Sequence, residues 1–386
     1  MPVLDKIARY AEELTALRQD FHANPEIGFE EVRTSGIVAD LLEKWGIEVH
    51  RGIGKTGVVG VLKGAKGPGK TIGLRADMDA LPMDEQSNVA YSSKSPGKFH
   101  GCGHDGHTTM LLGAARYLSE TKDFSGQVVF IFQPAEEGLG GARAMLADGL
   151  FEKFPCDEIY GMHNNPMAKP NLVEVRPGVA MAGATFFDIE IIGQGSHGAM
   201  PQYSKDPIVI TTALVQALQS IVSRNVDPVH SAVLSVTQIH SGTAYNVVPE
   251  KAVISGTIRY FDDDVRDLIH ERIEDLCAGF ETSYRVTIKP DLRPIFSVLR
   301  NDVELTKAYL EAAAEIVGGD LSTDEKELVT GSEDFADMLN VVPGAYCNIG
   351  HSGGVPVHNP GFVLDDAILP VGASIYARIV EKRLVA

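Results

Sequence analysis

The fold of this chain is decided by the stretch GQVVFIFQPAEE, residues 126–137. Five large apolar residues follow one another from Val128 to Phe132, and two glutamates come after a short turn. A run of this kind without alternating polar residues predicts a strand that is buried on both faces. The stretches TIGLRADMD (71–79) and DEIYGMH (157–163) have the same form and end in an acid or a histidine. Three such strands predict a sheet with polar side chains along one edge.

Helical segments separate these strands. Apolar residues recur at helical spacing in five segments, near residues 5–24, 34–45, 107–120, 140–150 and 302–317. The stretch GAYCNIG (344–350) then adds another buried strand. Alternating strands and helices predict an α/β fold with a mixed, mainly parallel sheet and helices on both faces.

The order of elements changes near residue 180. The pattern becomes β-α-β-β-α-β, in the stretches TFFDIEIIG (185–193), DPIVITTALVQALQSIVS (206–223), AVLSVTQIH (232–240), KAVISGTIRYF (251–261), DDVRDLIHERIEDLCAGF (263–280) and YRVTIKP (284–290). This order is the ferredoxin-like arrangement, a compact α+β unit. We therefore expect one discontinuous α/β domain, residues 1–179 and 293–386, interrupted by an inserted ferredoxin-like domain, residues 180–292.

Composition and charge exclude several classes of partner. Of the 386 residues, 34 are Lys or Arg and 52 are Asp or Glu, so the formal net charge is −18. A field of this sign repels nucleic acid and anionic membranes, and we expect neither as a partner. The chain shows no secretory signal pattern and no apolar run long enough to span a membrane. Four scattered cysteines without a C-x-x-C pair indicate a reducing cytoplasm.

Ligand-type side chains also gather in the stretch KFHGCGHDGHTTMLL (98–112), where Cys102 and His104 flank a glycine before a predicted helix. Taken singly, each candidate has an ordinary explanation. An acid after a strand caps a helix, a cysteine fills the core, and His163 closes a turn. Separate segments nevertheless bring these residues to one sheet edge. Acids collected there would repel one another without a cation, so the pattern favours a metal site.

Six motifs resemble those of a known family: RADMDALP (75–82), GCGHDGHTTMLLGAA (101–115), QPAEEG (133–138), GMHNNP (161–166), GQGSHGAMP (193–201) and VPVHNPGF (355–362). The family is that of the dinuclear metal-dependent amidohydrolases and peptidases that include aminoacylase and glutamate carboxypeptidase. More narrowly, the motifs resemble its hippurate hydrolase and auxin-conjugate (IAA-amino acid) hydrolase branch. The resemblance begins at FHANPEIGFEE (21–31) and so covers nearly the whole chain.

The resemblance implies that two divalent metal ions per subunit are bound by Cys102, His104, Glu137, His163 and His358. Manganese is the first expectation; zinc, cobalt and nickel are alternatives, because mixed sulfur, nitrogen and oxygen ligands suit several metals. The wider family has a His-x-Asp motif where this chain reads Asp77-Met78-Asp79, and an acid as bridging ligand where it has Cys102. Both departures are similar to the hippurate hydrolase branch. Asp77 and Asp79 are then expected to orient the histidine ligands, Asp79 most directly, whereas His107 matches no ligand.

The resemblance also implies roles in catalysis. Glu136 is expected to take the proton of the attacking water and return it to the departing amine. In the insertion, His197 is expected to donate to the oxyanion, and Asn246 and Arg259 to bind the substrate's carboxylate. From the residues alone, His197 has the alternative of a loop histidine and Arg259 that of a solvated strand residue. The segment GSEDF (331–335) resembles a family segment near the site and receives no role.

The function implied is that of a metal-dependent amidohydrolase, which hydrolyses the amide bond of N-acyl amino acids through a metal-activated water. Its substrates would be hippurate-like, N-acetyl or indole-acetyl conjugates of amino acids. A dipeptidase or aminopeptidase with the same dinuclear chemistry is the alternative, and it would accept a free ammonium at the acyl end. A metal-dependent binding protein is a third hypothesis, against which Glu136 argues because binding needs no base. We expect residues 180–292 to form a lid and dimerisation domain of a cytoplasmic homodimer or homotetramer.

Overall fold

The structure, a computed structural model, describes residues 3–385. Its helices are α1 (Asp5–Ala8), α2 (Ala11–Ala23), α3 (Val32–Lys44), α4 (His104–Thr121), α5 (Gly141–Ala147), α6 (Leu150–Lys153), α7 (Pro207–Arg224), α8 (Asp263–Tyr284), α9 (Val303–Val317), α10 (Phe335–Leu339) and α11 (Leu369–Arg383). Its strands are β1 (Glu48–Ile53), β2 (Gly57–Lys63), β3 (Thr71–Asp77), β4 (Gln127–Gln133), β5 (Glu158–Asn165), β6 (Val173–Glu174), β7 (Gly178–Met181), β8 (Gly183–Ile192), β9 (Ser196–His197), β10 (Ala232–Ser241), β11 (Val247–Val248), β12 (Lys251–Tyr260), β13 (Thr287–Phe296), β14 (Leu299–Asn301), β15 (Ser322–Thr323) and β16 (Gly344–Gly350).

The chain divides into two compact units. The first unit comprises Met1–Ala180, Arg300–Glu327 and Asp334–Ala386. The second unit comprises Met181–Leu299 and Leu328–Glu333.

The first unit contains a sheet in the order β1-β2-β4-β3-β5-β16-β6-β15. The four central strands β4, β3, β5 and β16 run parallel to one another, as do β6 and β15. The hairpin β1–β2 continues the sheet antiparallel to β4. The sheet is therefore mixed and mainly parallel, and the predicted α/β class is confirmed.

Burial explains why the central strands carry unbroken apolar runs. Residues 72–77 of β3 and 128–133 of β4 are buried without interruption, which requires cover on both faces of the sheet. On one face, Leu74 of β3 belongs to the same buried apolar cluster as Leu111 of α4. Helix α11 packs closely on α4: a Cβ added at Gly372 would lie only 2.2 Å from the sulfur of Met110. This packing fixes α4, and with it the turn at its N-terminus, against the sheet.

The second unit has the ferredoxin-like arrangement that the sequence predicted. Its main sheet has the order β10-β12-β8-β13, and every neighbouring pair is antiparallel. Helix α7 follows β8 and helix α8 follows β12, so the chain order is β-α-β-β-α-β. A two-stranded ribbon, β9 with β11, is added to this unit.

Two local predictions differ from the structure, and one hairpin is additional to the predicted elements. The first helix is interrupted, since α1 ends at Ala8 and α2 begins at Ala11. Helix α8 continues to Tyr284 and ends where Arg285 adopts a left-handed conformation (φ 54°), so the following strand begins at Thr287 and not at residue 284. The hairpin β1–β2 was not predicted. Among the described residues, no helix is long and apolar enough to cross a membrane.

Candidate metal centre

The predicted ligands of the first unit lie at the carboxyl ends of its parallel strands. Strand β3 ends at Asp77, and His163 lies near the end of β5. Strand β4 ends at Gln133, and the loop after it contains Glu136 and Glu137. Because these strands are parallel neighbours, their ends meet at one edge of the sheet.

The turn before α4 adds two more candidates to this edge. Gly103, between Cys102 and His104, adopts φ 90°, and a Cβ there would lie 2.3 Å from Nδ2 of Asn164. Glycine is thus required twice, for its conformation and for the close approach. His104 is the first residue of α4 and is fully buried. Cys102 is also buried, with 7% of its surface exposed.

Five side chains converge in two groups that share Cys102. In the first group, the ligand atoms of Cys102, His104 and His163 lie within 4.8 Å of one another. In the second group, those of Cys102, Glu137 and His358 do so. The Cys102 sulfur is 3.3 Å from Nε2 of His163. A shared thiolate between two groups of ligands suits a pair of cations.

Two polar atoms in these groups have no hydrogen-bond partner among the described residues, although both are buried. They are Nε2 of His104 and Oε1 of Glu137, which lie 4.0 Å apart. Glu137 Oε1 is also 3.3 Å from His358 Nε2, without the alignment of a hydrogen bond. Buried polar atoms without partners are costly, so their presence here fits a site that is completed by a cation.

Asp79 holds three groups of this site at once. Its Oδ1 contacts Nδ1 of His104 at 3.2 Å and accepts a hydrogen bond from the backbone N–H of Glu136 at 3.0 Å. Its Oδ2 accepts from the backbone N–H of Glu137, also at 3.0 Å. The contact at Nδ1 turns Nε2 of His104 toward the other candidate ligands. One carboxylate therefore orients a histidine and the loop that carries both glutamates.

Asp77 is bound differently. Its Oδ2 accepts a hydrogen bond from Arg75 at 2.7 Å, and its Oδ1 lies 2.6 Å from Nδ1 of His107. Although Asp77, His104 and His107 form a further group of ligand-type atoms, Asp77 Oδ2 is 3.8 Å from Nε2 of His104. Burial raises the pKa of Asp77, but the charges of His104 and Arg75 outweigh it and hold that pKa well below its usual value.

The carboxylates determine the protonation of His104 in the metal-free chain. Burial lowers the pKa of His104, but the charge of Asp77 and the hydrogen bond of Asp79 outweigh it and raise that pKa to about 10. His104 is therefore an imidazolium near pH 7 in the absence of metal, and it must release a proton to bind a cation.

Cys102 and His163 are both uncharged in the metal-free chain. Burial, followed by the charges of Glu137 and Glu136, raises the pKa of Cys102 well above 9.0. Burial holds the pKa of His163 well below 6.5. His163 is thus ready to bind a cation, whereas Cys102 must first lose a proton.

Glu136 lies beside the candidate ligands. One of its carboxylate oxygens is within 4.8 Å of the ligand atoms of His104 and Glu137, and the residue is 7% exposed. Ala135, which precedes it, has φ 54°, and its N–H donates to the buried Glu31 at 2.9 Å. This turn directs the backbone N–H groups of Glu136 and Glu137 at Asp79.

His358 comes from a loop after the last strand. Its backbone has φ 62°, an uncommon conformation for a non-glycine residue. Its N–H donates to the carbonyl of Gly101 at 2.8 Å, which joins the loop to the turn that contains Cys102. Unlike the other candidates, the His358 side chain is 53% exposed.

The other predicted residues belong to the second unit. His197 lies on β9 and pairs with Val247 of β11, and the N–H of Gly198 donates to the carbonyl of Asn246 at 2.8 Å. The ribbon therefore places the backbone of Asn246 next to that of Gly198, the residue after His197. Nδ1 of His197 accepts a hydrogen bond from the N–H of Ala199 at 3.0 Å, so the neutral ring carries its proton on Nε2.

Arg259 lies on β12 of the same unit. Its guanidinium is half-buried, donates to Thr257 and lies 5.9 Å from the centre of the Phe186 ring. Burial lowers the pKa of Arg259.

The sequence interpretation missed a buried support behind the strand ends. Arg75 donates to Gln133 at 2.9 Å and to Asp334 at 3.2 Å, and Gln133 donates to Asp334 at 2.7 Å. Asp334 also accepts from the N–H of Ala142 at 2.9 Å. The sequence did contain a signal for this support: Arg75 lies inside a buried strand and Asp77 follows two residues later. A buried charge requires partners, so other polar residues had to lie nearby.

Comparison with known proteins identifies the family. A model of the peptidase family M20/M25/M40 matches residues 73–382. A hippurate hydrolase of Campylobacter jejuni is 42% identical over 384 residues, which is 100% of both chains. An ILR1-like IAA-amino acid hydrolase of Arabidopsis thaliana is 36% identical over 381 residues, covering 96% of this chain and 86% of the relative.

A solved structure agrees with these relatives. A Bacillus subtilis protein, described as a dinuclear metal binding peptidase from the M20 family, has a TM-score of 0.84 and 33% identity to this chain. The match covers 98% of this chain and 99% of that one. The resemblance to the hippurate hydrolase branch is confirmed, and this chain belongs to the peptidase family M20/M25/M40.

Proposed function

We propose that this protein hydrolyses the amide bond of N-acyl amino acids, with two divalent metal ions as cofactors. The observation that supports this most directly is the convergence of four imidazole and carboxylate side chains around the Cys102 thiol, with Glu136 beside them. The relatives named for hydrolysis of hippurate and of IAA-amino acids support the substrate class. Both names describe an acyl group joined to an amino acid through an amide bond.

The proposed ligands are Cys102, His104, Glu137, His163 and His358. The unpartnered atoms of His104 and Glu137, together with a donor set of sulfur, nitrogen and oxygen, fit divalent ions. Manganese is our first expectation, with zinc, cobalt and nickel as alternatives. When bound, such ions would lower the pKa of the attacking water and polarise the carbonyl of the scissile amide.

Glu136 is the proposed proton carrier. Its carboxylate accepts a proton from the attacking water and donates it to the nitrogen of the departing amino acid as the C–N bond breaks. The fixed turn at Ala135 and the hydrogen bond from Glu136 N–H to Asp79 hold this carboxylate beside the ligands. Glu137, bound to the same Asp79 through its own N–H, remains available as a ligand.

The second unit is the proposed lid. His197, whose Nε2 carries the proton, is suited to donate to the oxyanion that forms from the amide carbonyl. Asn246 and Arg259 of the same unit are the proposed partners of the substrate's carboxylate, for which the forked guanidinium is well shaped.

The same unit is also the proposed dimerisation surface. Strand β10 is an edge of its sheet, is exposed from Thr237 to Ser241 and exposes the apolar side chains of Val233 and Ile239. The opposite edge, β13, contains prolines at 290 and 294, which oppose pairing with another strand. A second copy that pairs along β10 would form a homodimer, which Ile239→Lys should dissociate in sedimentation experiments. We further propose a cytoplasmic location, which the four free cysteines support.

The function is tested by a hydrolysis screen on chelated protein with each metal added back. Substrates are N-benzoyl, N-acetyl and indole-acetyl amino acids, with dipeptides as the alternative class. We expect the acylated amino acids to be cleaved at higher kcat/KM than dipeptides with a free ammonium. Higher kcat/KM on the dipeptides would favour the dipeptidase alternative.

Two matched variants separate the roles of the adjacent glutamates. Glu136→Gln should keep both metals and lose most of kcat, because the base is removed while size and hydrogen bonding are kept. Glu137→Gln should lose metal first and activity as a consequence. Metal content that falls in Glu136→Gln and persists in Glu137→Gln would show that the roles are reversed.

A further inference from the structure

A chain of hydrogen bonds runs behind the candidate metal centre, from the end of β16 to the end of β3. It passes through His351, Asn164, His107 and Asp77, which are 0%, 2%, 1% and 0% exposed. We propose that Asn164 is a positioning residue that fixes Cys102 and His163 relative to one another, so that both bind metal without rearrangement. The proposal rests on the proposed function, because it concerns two of its ligands.

Asn164 contacts both ligands directly. Its side-chain amide donates to the carbonyl of Cys102 at 2.6 Å, and its own backbone carbonyl lies 2.7 Å from Nδ1 of His163. The first contact fixes the backbone that carries the sulfur. The second orients the imidazole, because a proton on Nδ1 leaves Nε2 as the atom that faces Cys102. The separation of 3.3 Å between the sulfur and Nε2 of His163 is therefore set from one residue.

The orientation of the Asn164 amide is itself determined. Its Oδ1 lies 3.0 Å from Nε2 of His351, whose Nδ1 accepts from the N–H groups of Gly353 at 3.2 Å and Asp365 at 3.4 Å. Since Nδ1 of His351 is an acceptor, the neutral ring carries its proton on Nε2 and donates to Asn164. The amide oxygen must then face His351, and the NH₂ group must face Cys102.

On the other side, Asn164 determines the state of His107. Nε2 of His107 accepts from the backbone N–H and from the side-chain amide of Asn164, both at 3.0 Å. Its proton is thus on Nδ1, which donates to Asp77 at 2.6 Å. Every hydrogen bond from His351 to Asp77 points in the same direction, which gives a structural role to His107, the histidine that matched no ligand of the family.

The geometry predicts what each substitution removes. Asn164→Leu keeps approximate size but loses the bonds to Cys102, His107 and His351, and Asn164→Asp puts a carboxylate oxygen against the carbonyl of Cys102. Asn165→Asp is the matched control, since the side-chain oxygen of Asn165 accepts from the N–H of Met167 at 3.1 Å and an aspartate can accept in the same way. A second pair tests the orientation of the amide: His351→Gln can keep a donor near Nε2, whereas His351→Leu cannot.

The experiment measures metal affinity by chelator competition on folded, metal-free protein, beside the absorption of the cobalt-loaded enzyme. A cobalt–thiolate bond absorbs in the near ultraviolet, so this band reports on Cys102, and Cys102→Ser provides the baseline. We expect Asn164→Leu and Asn164→Asp to weaken affinity about 10- to 100-fold and to shift or reduce the band. Asn165→Asp and His351→Gln should stay within about threefold of wild type, and His351→Leu should fall with the Asn164 variants.

The results distinguish the possible failures. Folded Asn164→Leu with wild-type affinity and an unchanged cobalt band would overturn the positioning role. If the Asn164 variants do not fold, the His351 pair decides: equal loss in His351→Gln and His351→Leu would refute the role of the hydrogen bond. A wild-type protein that binds no metal would overturn the proposed function, and this inference with it.

Discussion

Asp79→Asn tests how much of the metal centre depends on one carboxylate. Two oxygens of Asp79 serve three groups: Nδ1 of His104 and the backbone N–H groups of Glu136 and Glu137. An asparagine has one acceptor oxygen, which can take the place of Oδ1 and contact both His104 Nδ1 and the N–H of Glu136. Its NH₂ group then faces the N–H of Glu137, and that donor loses its acceptor.

The magnitude follows from these contacts. A buried donor left without a partner costs about 1–3 kcal/mol, so the free energy of unfolding of the metal-free protein should fall by that amount. The ring of His104 also loses a charged acceptor, and loss of such a partner weakens metal binding about 10- to 100-fold, or roughly 1.4–2.7 kcal/mol. Both effects are expected in one variant.

The assay combines denaturant unfolding of the metal-free protein with chelator competition for metal affinity. Asp84→Asn is the matched control, because Asp84 is exposed and, among the described residues, accepts one hydrogen bond, from the N–H of Gly97 at 2.7 Å. Asp79→Asn with affinity within threefold of wild type, and with stability within about 0.5 kcal/mol of it, would refute the reasoning. The three contacts would then be geometrically present but energetically unimportant.

Three further predictions follow from the same structure. His197→Ala should lower kcat about 10²- to 10³-fold with metal content unchanged, as measured by steady-state kinetics and metal analysis, and an unaltered kcat would return His197 to a loop role. Cys102→Ser should weaken binding of both ions while His358→Ala weakens one, because Cys102 belongs to both ligand groups; stoichiometry in metal-buffered dialysis checks this. Metal affinity should rise with pH from 7 toward about 10, by up to tenfold per pH unit for each proton that binding releases. The reason is that the raised pKa values of His104 (about 10) and Cys102 keep both residues protonated in the metal-free chain. Calorimetry in buffers of different ionisation enthalpy counts those protons, and a count of zero would contradict the assigned protonation states.

The sequence by itself determined the class of the fold and the types of residue at its site. Unbroken apolar runs such as Val128–Phe132 predicted buried strands because burial on both faces leaves no position for polar residues. The change of pattern near residue 180 predicted the ferredoxin-like unit because apolar residues recur with different periods in strands and in helices. The motifs also determined the family, because side chains that bind metal tolerate few replacements.

Tertiary structure decided which of these residues touch. That Cys102 belongs to two ligand groups, and that Asp79 binds His104 together with both glutamate N–H groups, depends on side-chain directions at segments far apart in the chain. The hairpin β1–β2 and the break after Ala8 were likewise not predicted from local apolar spacing. Local patterns record which face of an element is buried and carry no information on its partner.

The support behind the site shows this limit most clearly. Asn164 reads in the sequence as one of two asparagines after a histidine, and Asp334 as an acid in a loop. In the fold, Asn164 joins the ends of β5 and β16 to the turn before α4, and Asp334 joins Arg75, Gln133 and the N-terminus of α5. Hydrogen bonds between residues tens to hundreds of positions apart form only once the chain has folded. The sequence therefore determined which chemistry the site contains, and the tertiary structure determined how it is held in place.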